Sequence, residues 1–374
     1  MNHQEYLLEL RDISKIFSGQ KSEITALNKV SLCVRSGELV VVVGPSGCGK
    51  STLLRCIVGL EEPNEGDIFI NGLNMTTKPP EERLIEWLPQ RIESTFIIHK
   101  SLNFNMELGL KIRKVSEADR EKQINKVSSL LGINHLLNRR PYEISGGELQ
   151  RAAIGRALMR DSNIFLFDEP LANLDEQRRR ELRQEFRKIQ KKVNGAFVYV
   201  THDQKEALSI GTRCVVMNSG EILQDDSPEN IYNSPNSLFV ARFFSANGLN
   251  EFPCKIILRE KGYNVEGDFF QFLIPTKEKT QKKERQAIFC VRAEDVKRRP
   301  NGKFTESEIS FGKTKVIDKQ FFGNEAFIIT TRGSANSMKI IAKDSEAKNQ
   351  DIIELCTYRN RIYLFDADTQ QRIS

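Results

Sequence analysis

The chain has 374 residues, 39% hydrophobic and 28% charged, the composition of a soluble globular protein and neither a disordered nor a collagen-like one. That length suits two domains and would stretch a single core. The net charge of +6 is spread along the sequence rather than massed in a tail. Its small clusters, Arg178-Arg179-Arg180 and Lys191-Lys192, read as solvated helix faces or contacts with anionic headgroups before they read as a nucleic-acid groove. Seven cysteines, with no CxxC pair and no nearby histidine at metal spacing, imply reduced thiols in a cytoplasm. The N-terminal Met1-Asn2-His3-Gln4-Glu5-Tyr6 is too polar for a secretory segment, and the longest apolar runs have strand length, so any membrane role is expected to be peripheral.

Taken along the chain, the first strong element is the apolar run Leu39 to Val43, a strand of the kind buried on both faces of a parallel sheet. It leads directly into Gly44-Pro45-Ser46-Gly47-Cys48-Gly49-Lys50-Ser51-Thr52, which fits the G-x-x-x-x-G-K-[ST] phosphate loop. Glycines let successive backbone N–H groups converge on phosphate oxygens, and a helix N-terminus adds positive potential. Lys50 is expected to reach the β- and γ-phosphates, and the Ser51 hydroxyl to ligate Mg²⁺. Helix-forming spacing follows over Ala118 to Gly132, Leu149 to Met159 and Asp175 to Val193.

Between these helices, Ile164 to Phe167 is a second buried strand, closed by Asp168-Glu169 and Pro170. Ligands of parallel sheets bind at the carboxyl ends of strands. Asp168 is therefore read as orienting the Mg²⁺ shell and Glu169 as polarising the attacking water. A third strand, Phe197 to Val200, ends near His202, where a γ-phosphate contact is needed. Composition shifts near residue 245. Beyond it, Ile256 to Leu258, Phe269 to Ile274, Ile288 to Val291, Ala326 to Thr331 and Arg361 to Phe365 read as short strands, with turns at Gly262, Gly267-Asp268, Pro300-Asn301-Gly302, Gly323-Asn324 and Gly333. A small all-β barrel or sandwich of roughly 125 residues is expected there, with Thr276 to Gln286 as a lysine-rich loop.

The remaining motif is the turn Ile144-Ser145-Gly146-Gly147-Glu148, just before a helix beginning near Glu148. It is a further N-terminal anion site, yet the phosphates of one nucleotide are already wrapped by the Gly44 to Thr52 loop. The economical solution is a twofold dimer in which each turn caps the ATP of the other subunit.

With these residues in hand, the chain resembles the ATP-binding cassette (ABC) ATPases over its whole length. Ile144 to Glu148 looks like the signature motif, Asp168-Glu169 the acidic strand end, Ala172-Asn173-Leu174-Asp175 the D-loop and His202 the switch histidine. Gln90 matches the glutamine that links γ-phosphate and Mg²⁺ to the membrane subunits, and Phe17 the aromatic that stacks on adenine. The stretches Gly109-Leu110-Lys111-Ile112, Asn138-Arg139-Arg140-Pro141 and Ser227-Pro228-Glu229-Asn230-Ile231-Tyr232, with the tail motifs Val291-Arg292-Ala293-Glu294-Asp295 and Ile362-Tyr363-Leu364-Phe365-Asp366, are similar to importer ATPases of the maltose and glycerol-3-phosphate type.

The resemblance implies an α/β P-loop ATPase over 1–244, with a RecA-like core and a helical subdomain at about 91–160, followed by an OB-like accessory β domain over 245–374. It implies a homodimer that binds ATP and Mg²⁺ on the cytoplasmic face of the membrane. There it would drive two separately encoded permease subunits and, through them, a solute-binding protein. Carbohydrate or glycerol-3-phosphate is the expected cargo class, with polyamines and ferric iron as alternatives. A soluble ABC ATPase acting on nucleic acid or ribosomes is the reading from another class; such proteins carry two cassettes or a coiled-coil insertion, and no nucleic-acid partner is expected here. Three departures stand out. Glu148 replaces the usual glutamine and brings an acid toward the opposing nucleotide; Gln90 follows Pro89 rather than an aromatic; Ala293 replaces a proline.

Overall fold

The computed structural model describes residues 6–373 apart from 20–21, 160–161, 173–174, 194, 260–261, 276–283, 300–304, 306, 324, 333–335 and 343–347. The turn expectations at Pro300-Asn301-Gly302, Asn324 and Gly333, Asn173-Leu174 of the D-loop, and most of the Thr276 to Gln286 stretch lie outside the described residues. The chain divides into two compact units, Met1–Ile231 and Tyr232–Ser374, a division that falls before the composition shift near residue 245.

The first unit is built on two sheets. β1 (Leu8–Ser18), β2 (Glu23–Val34), β4 (Glu65–Ile70) and β5 (Leu73–Asn74) form a four-stranded antiparallel sheet in the order β2-β1-β4-β5. β3 (Leu39–Val43), β6 (Ile85–Leu88), β7 (Ile164–Asp168), β8 (Ala196–Thr201), β9 (Arg213–Asn218) and β10 (Glu221–Asp226) form a six-stranded sheet in the order β10-β9-β3-β8-β7-β6. Every pairing in it is parallel except β10 with β9. All residues of β3, β7 and β8 are buried, so their unbroken apolar runs follow from being covered on both faces.

Helix α1 (Lys50–Val58) contributes Leu53, Leu54, Cys56 and Ile57 to one core with Val40 and Val42 of β3 and Leu8, Leu10 and Ile68 of the antiparallel sheet. The C-terminal carbonyls of α1 are satisfied by Arg83, a 2%-exposed side chain that donates to Cys56 O at 2.6 Å and Ile57 O at 2.8 Å. Gly59 turns the chain there at φ 91°, and a Cβ on it would press into the Arg83 guanidinium. Nothing in the local sequence around Arg83 announces this cap.

Helices α2 (Leu102–Ile112), α3 (Glu117–Leu130) and α4 (Gly146–Leu158) pack on one another, and α5 (Glu176–Lys192) and α6 (Gln204–Ile210) flank the parallel sheet. The expected helices at Ala118, Leu149 and Asp175 are present with shifted ends. α4 begins two residues before Glu148 because Ser145 is its N-cap, and α2 has no counterpart in the sequence reading. Among the described residues no helix is long and apolar enough to cross a membrane, and all seven cysteines are free thiols.

The second unit is all-β apart from short helical turns. Five strands, in chain order Leu249–Arg259, Gly262–Gly267, Gln271–Ile274, Glu284–Arg292 and Ile362–Asp366, make one antiparallel sheet. Lys297–Arg299, Glu308–Phe322, Glu325–Arg332, Asn336–Ala342 and Ile352–Tyr358 make another. Both sheets feed one core, in which Phe252, Phe270, Phe272, Phe289 and Phe311 meet in stacked, tilted and edge-to-face pairs. Glu284 to Gln286, read from the sequence as the end of a loop, are instead strand residues that continue the ladder opposite Ile257, Ile256 and Lys255. Phe269 and Phe270, read as strand, precede the strand and turn inward to the ring cluster. Phe289 is fully buried among these rings, so Phe289→Ala should destabilise this unit by about 3–5 kcal/mol. Urea unfolding of the full chain, followed by circular dichroism, is expected to show an earlier transition for the variant.

Candidate functional site

The parallel strands deliver their carboxyl ends to one edge, and the loops leaving them carry the chemistry. β3 ends at Val43, and the Gly44 to Thr52 loop turns back into α1. Gly47 and Gly49 take φ values of 80° and 106°, and a side chain on Gly49 would collide with the carbonyl of Ala26. Lys50, only 5% exposed, folds its ammonium into the loop and donates to the carbonyls of Gly44 and Pro45, both at 2.8 Å. Two backbone oxygens thus hold the cation where phosphate oxygens could take their place.

β7 brings Asp168 and Glu169 to the same edge. The Ser51 hydroxyl donates to Asp168 Oδ1 at 3.4 Å. Burial, reinforced by the adjacent Glu169 charge, pushes the Asp168 carboxyl above the ordinary aspartate range. Glu169 sits at φ 48°, a left-handed backbone conformation uncommon for a residue with a side chain. Its carboxylate is gripped on both sides: Gln90 Nε2 donates to Oε2 at 3.3 Å, and His202 Nδ1 lies 2.9 Å from Oε1. Gln90 follows β6 and His202 follows β8, the strand next to β7. Lys50, Ser51, Gln90, Asp168, Glu169 and His202, far apart in sequence, therefore share one sheet edge.

A buried network behind His202 was not read from the sequence. Glu206, 3% exposed on α6, accepts from Tyr199 Oη at 2.9 Å and Thr201 Oγ1 at 2.8 Å. Thr201 Oγ1 accepts from the Asp203 backbone N–H at 3.0 Å, and Asp203 Oδ1 accepts from the Glu206 N–H at 3.0 Å. The segment bearing His202 is thereby tied at both ends to the start of α6. The only sequence signal was a glutamate four residues after a histidine, which is too common to notice.

The other expected residues lie elsewhere. Ser145 caps α4, and Glu148 folds back in a capping box: its Oε2 accepts from the Ser145 N–H at 2.8 Å and the Ser145 hydroxyl at 2.7 Å. These two bonds, with smaller help from Arg151 and His135, hold the Glu148 carboxyl below the ordinary glutamate range. Ser145, Gly147 and Glu148 line a hollow of about 210 Å³ with Arg151, Arg178, Glu181 and Leu182, and no phosphate-loop residue borders it. Asp175 N-caps α5 through the Arg178 N–H at 3.0 Å. Phe17, 38% exposed near the end of β1, carries the Lys15 ammonium 5.1 Å from its ring centre. Gly146 has open space where a side chain would stand, and Pro45, Ser46, Cys48 and Thr52 stay within the first loop and helical turn.

Residues 27–172 match the ABC transporter family. Over 98% of its length the chain is 33% identical to the trehalose/maltose import ATP-binding protein MalK of Thermococcus litoralis, spanning 99% of that protein. The chain belongs to the ABC transporter ATP-binding proteins. It is likewise 34% identical to the sn-glycerol-3-phosphate import ATP-binding protein UgpC of Escherichia coli, across 98% of this chain and 99% of UgpC. With the oligosaccharides import ATP-binding protein MsmX of Bacillus subtilis it shares 32% identity over 98% of its length and all of that protein. Among solved structures, the dimeric ABC transporter cassette MJ0796 superposes with a TM-score of 0.53 at 28% identity, over 59% of this chain and 98% of the cassette. This ABC protein is a nucleotide-binding, transport-coupled ATPase of an import system.

The Glu206 network yields a test. Burial raises the Glu206 carboxyl above the ordinary glutamate range, with Thr201 and Tyr199 pulling the other way. A raised folded-state value means that the native state keeps this proton to higher pH than the unfolded chain does. Wild-type stability is then lost as pH rises through the interval above the ordinary value of about 4.3. Glu206→Gln removes the titration and keeps an acceptor for both hydroxyls. Its melting temperature relative to wild type should be higher at pH 7 than at pH 4, as scanning calorimetry at the two pH values would show.

Proposed function

We propose that two copies of this chain bind two ATP molecules across a shared interface, close, and so drive two separately encoded permease subunits that import a carbohydrate or a glycerol-3-phosphate-like solute. The observation that carries this reading is that the similarity to MalK, UgpC and MsmX runs through both units rather than the cassette alone. The protein would work on the cytoplasmic face of the membrane, held there by the permeases.

In this reading Lys50 exchanges the carbonyls of Gly44 and Pro45 for β- and γ-phosphate oxygens, and the N–H groups from Gly44 to Thr52 wrap the rest of the chain of phosphates. Phe17 stacks on the base. Ser51 and Asp168, whose oxygens already lie 3.4 Å apart, form with Gln90 a hydroxyl, carboxylate and amide set suited to a hard cation that takes its other ligands from phosphate and water. Among the described residues no cluster of three acidic, histidine or cysteine ligands offers a closed cage. Mg²⁺ held by Ser51, Gln90 and Asp168 would supply charge neutralisation at the phosphates.

Glu169 accepts the proton of the attacking water, and His202 fixes the Glu169 carboxylate on one side while facing the γ-phosphate on the other. The turn Ser145, Gly146 and Gly147 of the opposing copy, bordered by its Glu148, completes the site together with its Asp175. Attack in line with the departing ADP oxygen then needs no covalent intermediate.

Glu169→Gln should lower hydrolysis by at least about a hundredfold while leaving ATP binding and ATP-driven dimerisation intact, measured by phosphate release and by light scattering. Steady turnover by that variant would remove Glu169 as the base. The cargo is tested by supplying the chain to cells lacking the ATPase subunit of a maltose, trehalose or glycerol-3-phosphate importer and measuring uptake of the labelled solute. Failure in all three, with co-purification of nucleic acid instead of membrane subunits, would overturn the importer reading.

A further inference from the structure

Glu148 does more in this fold than begin a helix. Its carboxylate takes the Ser145 hydroxyl as a donor at 2.7 Å and the Ser145 N–H at 2.8 Å. A hydroxyl has a single hydrogen, so a Ser145 that donates to Glu148 has none to give to a phosphate. The bond is charge-assisted, of the kind that is shorter and stronger than a neutral pair. On the same helix, one turn on, Arg151 Nε is buried and makes no hydrogen bond among the described residues, and Arg151 Nη1 stands 3.9 Å from Glu185. His135 Nε2 lies 4.0 Å from the other Glu148 oxygen. The carboxylate thus has a second place to go, toward an arginine with an unfilled donor, without leaving the rim of the same hollow.

We infer that Glu148 is an intramolecular competitor for the phosphate at the Ser145 turn: within its own chain it occupies the serine hydroxyl, and it must move to Arg151 before the turn can engage the nucleotide of the opposing copy. This inference rests on the proposed reading that the Ser145 to Gly147 turn faces that nucleotide. Closure is made to depend on a higher ATP concentration, because each engagement exchanges a carboxylate bond for a phosphate bond and leaves an acid beside the anion. A glutamine at this position can still accept the Ser145 N–H and cap the helix, but as a neutral acceptor it holds the hydroxyl less firmly. Arg151 is a positioning residue in this scheme, acting on Ser145 only through Glu148.

The test measures the ATP dependence of hydrolysis and of dimerisation for the full chain and for Glu148→Gln, Ser145→Ala, the double variant and Arg151→Gln. Circular dichroism melts verify that each is folded. Exchange of one charge-assisted bond predicts that Glu148→Gln lowers the half-saturating ATP concentration by about 3- to 10-fold. Arg151→Gln should raise it, and the gain from Glu148→Gln should vanish when Ser145 is alanine. Opposite shifts from neighbours on one helix turn are not produced by loss of helix stability. If Glu148→Gln leaves the ATP requirement unchanged or raises it while Ser145→Ala raises it, the competition is wrong and the composite site stands. If the gain persists without the Ser145 hydroxyl, the carboxylate does not act through that serine and the inference also fails. If Ser145→Ala changes neither hydrolysis nor dimerisation, the turn does not face a nucleotide, and both readings fall together.

Discussion

The structure depends on one constraint: five parallel strands, the central ones buried on both faces, all end at the same edge of one sheet. Parallel pairing forces each connection to cross back over the sheet, so every loop at that edge belongs to a different crossover. The edge therefore collects side chains from positions as distant as 50, 90, 168 and 202 with no local reason for them to meet. The four-stranded antiparallel sheet and α1 complete the core under this edge. Arg83 then fixes the far end of α1, and so the helix that starts at Lys50 is anchored at both ends.

The edge stores charge at a cost. Asp168 is partly desolvated beside a second carboxylate, Glu169 adopts a left-handed backbone, and Glu206 is buried behind the histidine segment. Each disfavours the fold, and in the proposed reaction each sits where a cation, a reacting water or a fixed histidine is needed. The two proposed acidic roles are separated by surroundings rather than residue type. Among the described residues the Asp168 carboxylate takes its side-chain hydrogen bond from the Ser51 hydroxyl, while the Glu169 carboxylate is held from two sides by Gln90 and His202. The turn at Ser145 has a different design, closed on itself by Glu148 over a hollow that no phosphate-loop residue borders.

The second unit closes two antiparallel sheets over one shared core of aliphatic and aromatic side chains. Clustered phenylalanines supply large buried area at low side-chain entropy. Arg292, with no solvent exposure, is accommodated by the Tyr232 ring 3.8 Å from its guanidinium carbon, a 2.6 Å bond to the Tyr232 carbonyl and a bond to the Tyr363 hydroxyl. Burial drives the Tyr232 hydroxyl up to about 12, so it remains a donor, here to Glu294. Ala293 is fully buried in a turn that needs no ring, and its replacement of proline has no visible consequence.

What the sequence determined by itself was whatever depends on near neighbours. The phosphate loop is legible because glycine spacing and a following helix are local, and Leu39 to Val43, Ile164 to Phe167 and Phe197 to Val200 because double-sided burial demands unbroken apolar runs. The strands of the second unit were only half legible: five runs were read where the described residues form ten strands, because long strands such as Glu308–Phe322 carry register shifts at Ser310/Gly312 and Val316/Asp318 that interrupt the period-2 pattern. The tertiary structure alone decided who touches whom. The grip of Gln90 and His202 on Glu169, the Arg83 cap and the Glu206 anchor are contacts that no local motif specifies. Chain folding, not residue type, sets them, since a side chain chooses among partners only after the backbone has brought them within about 3 Å.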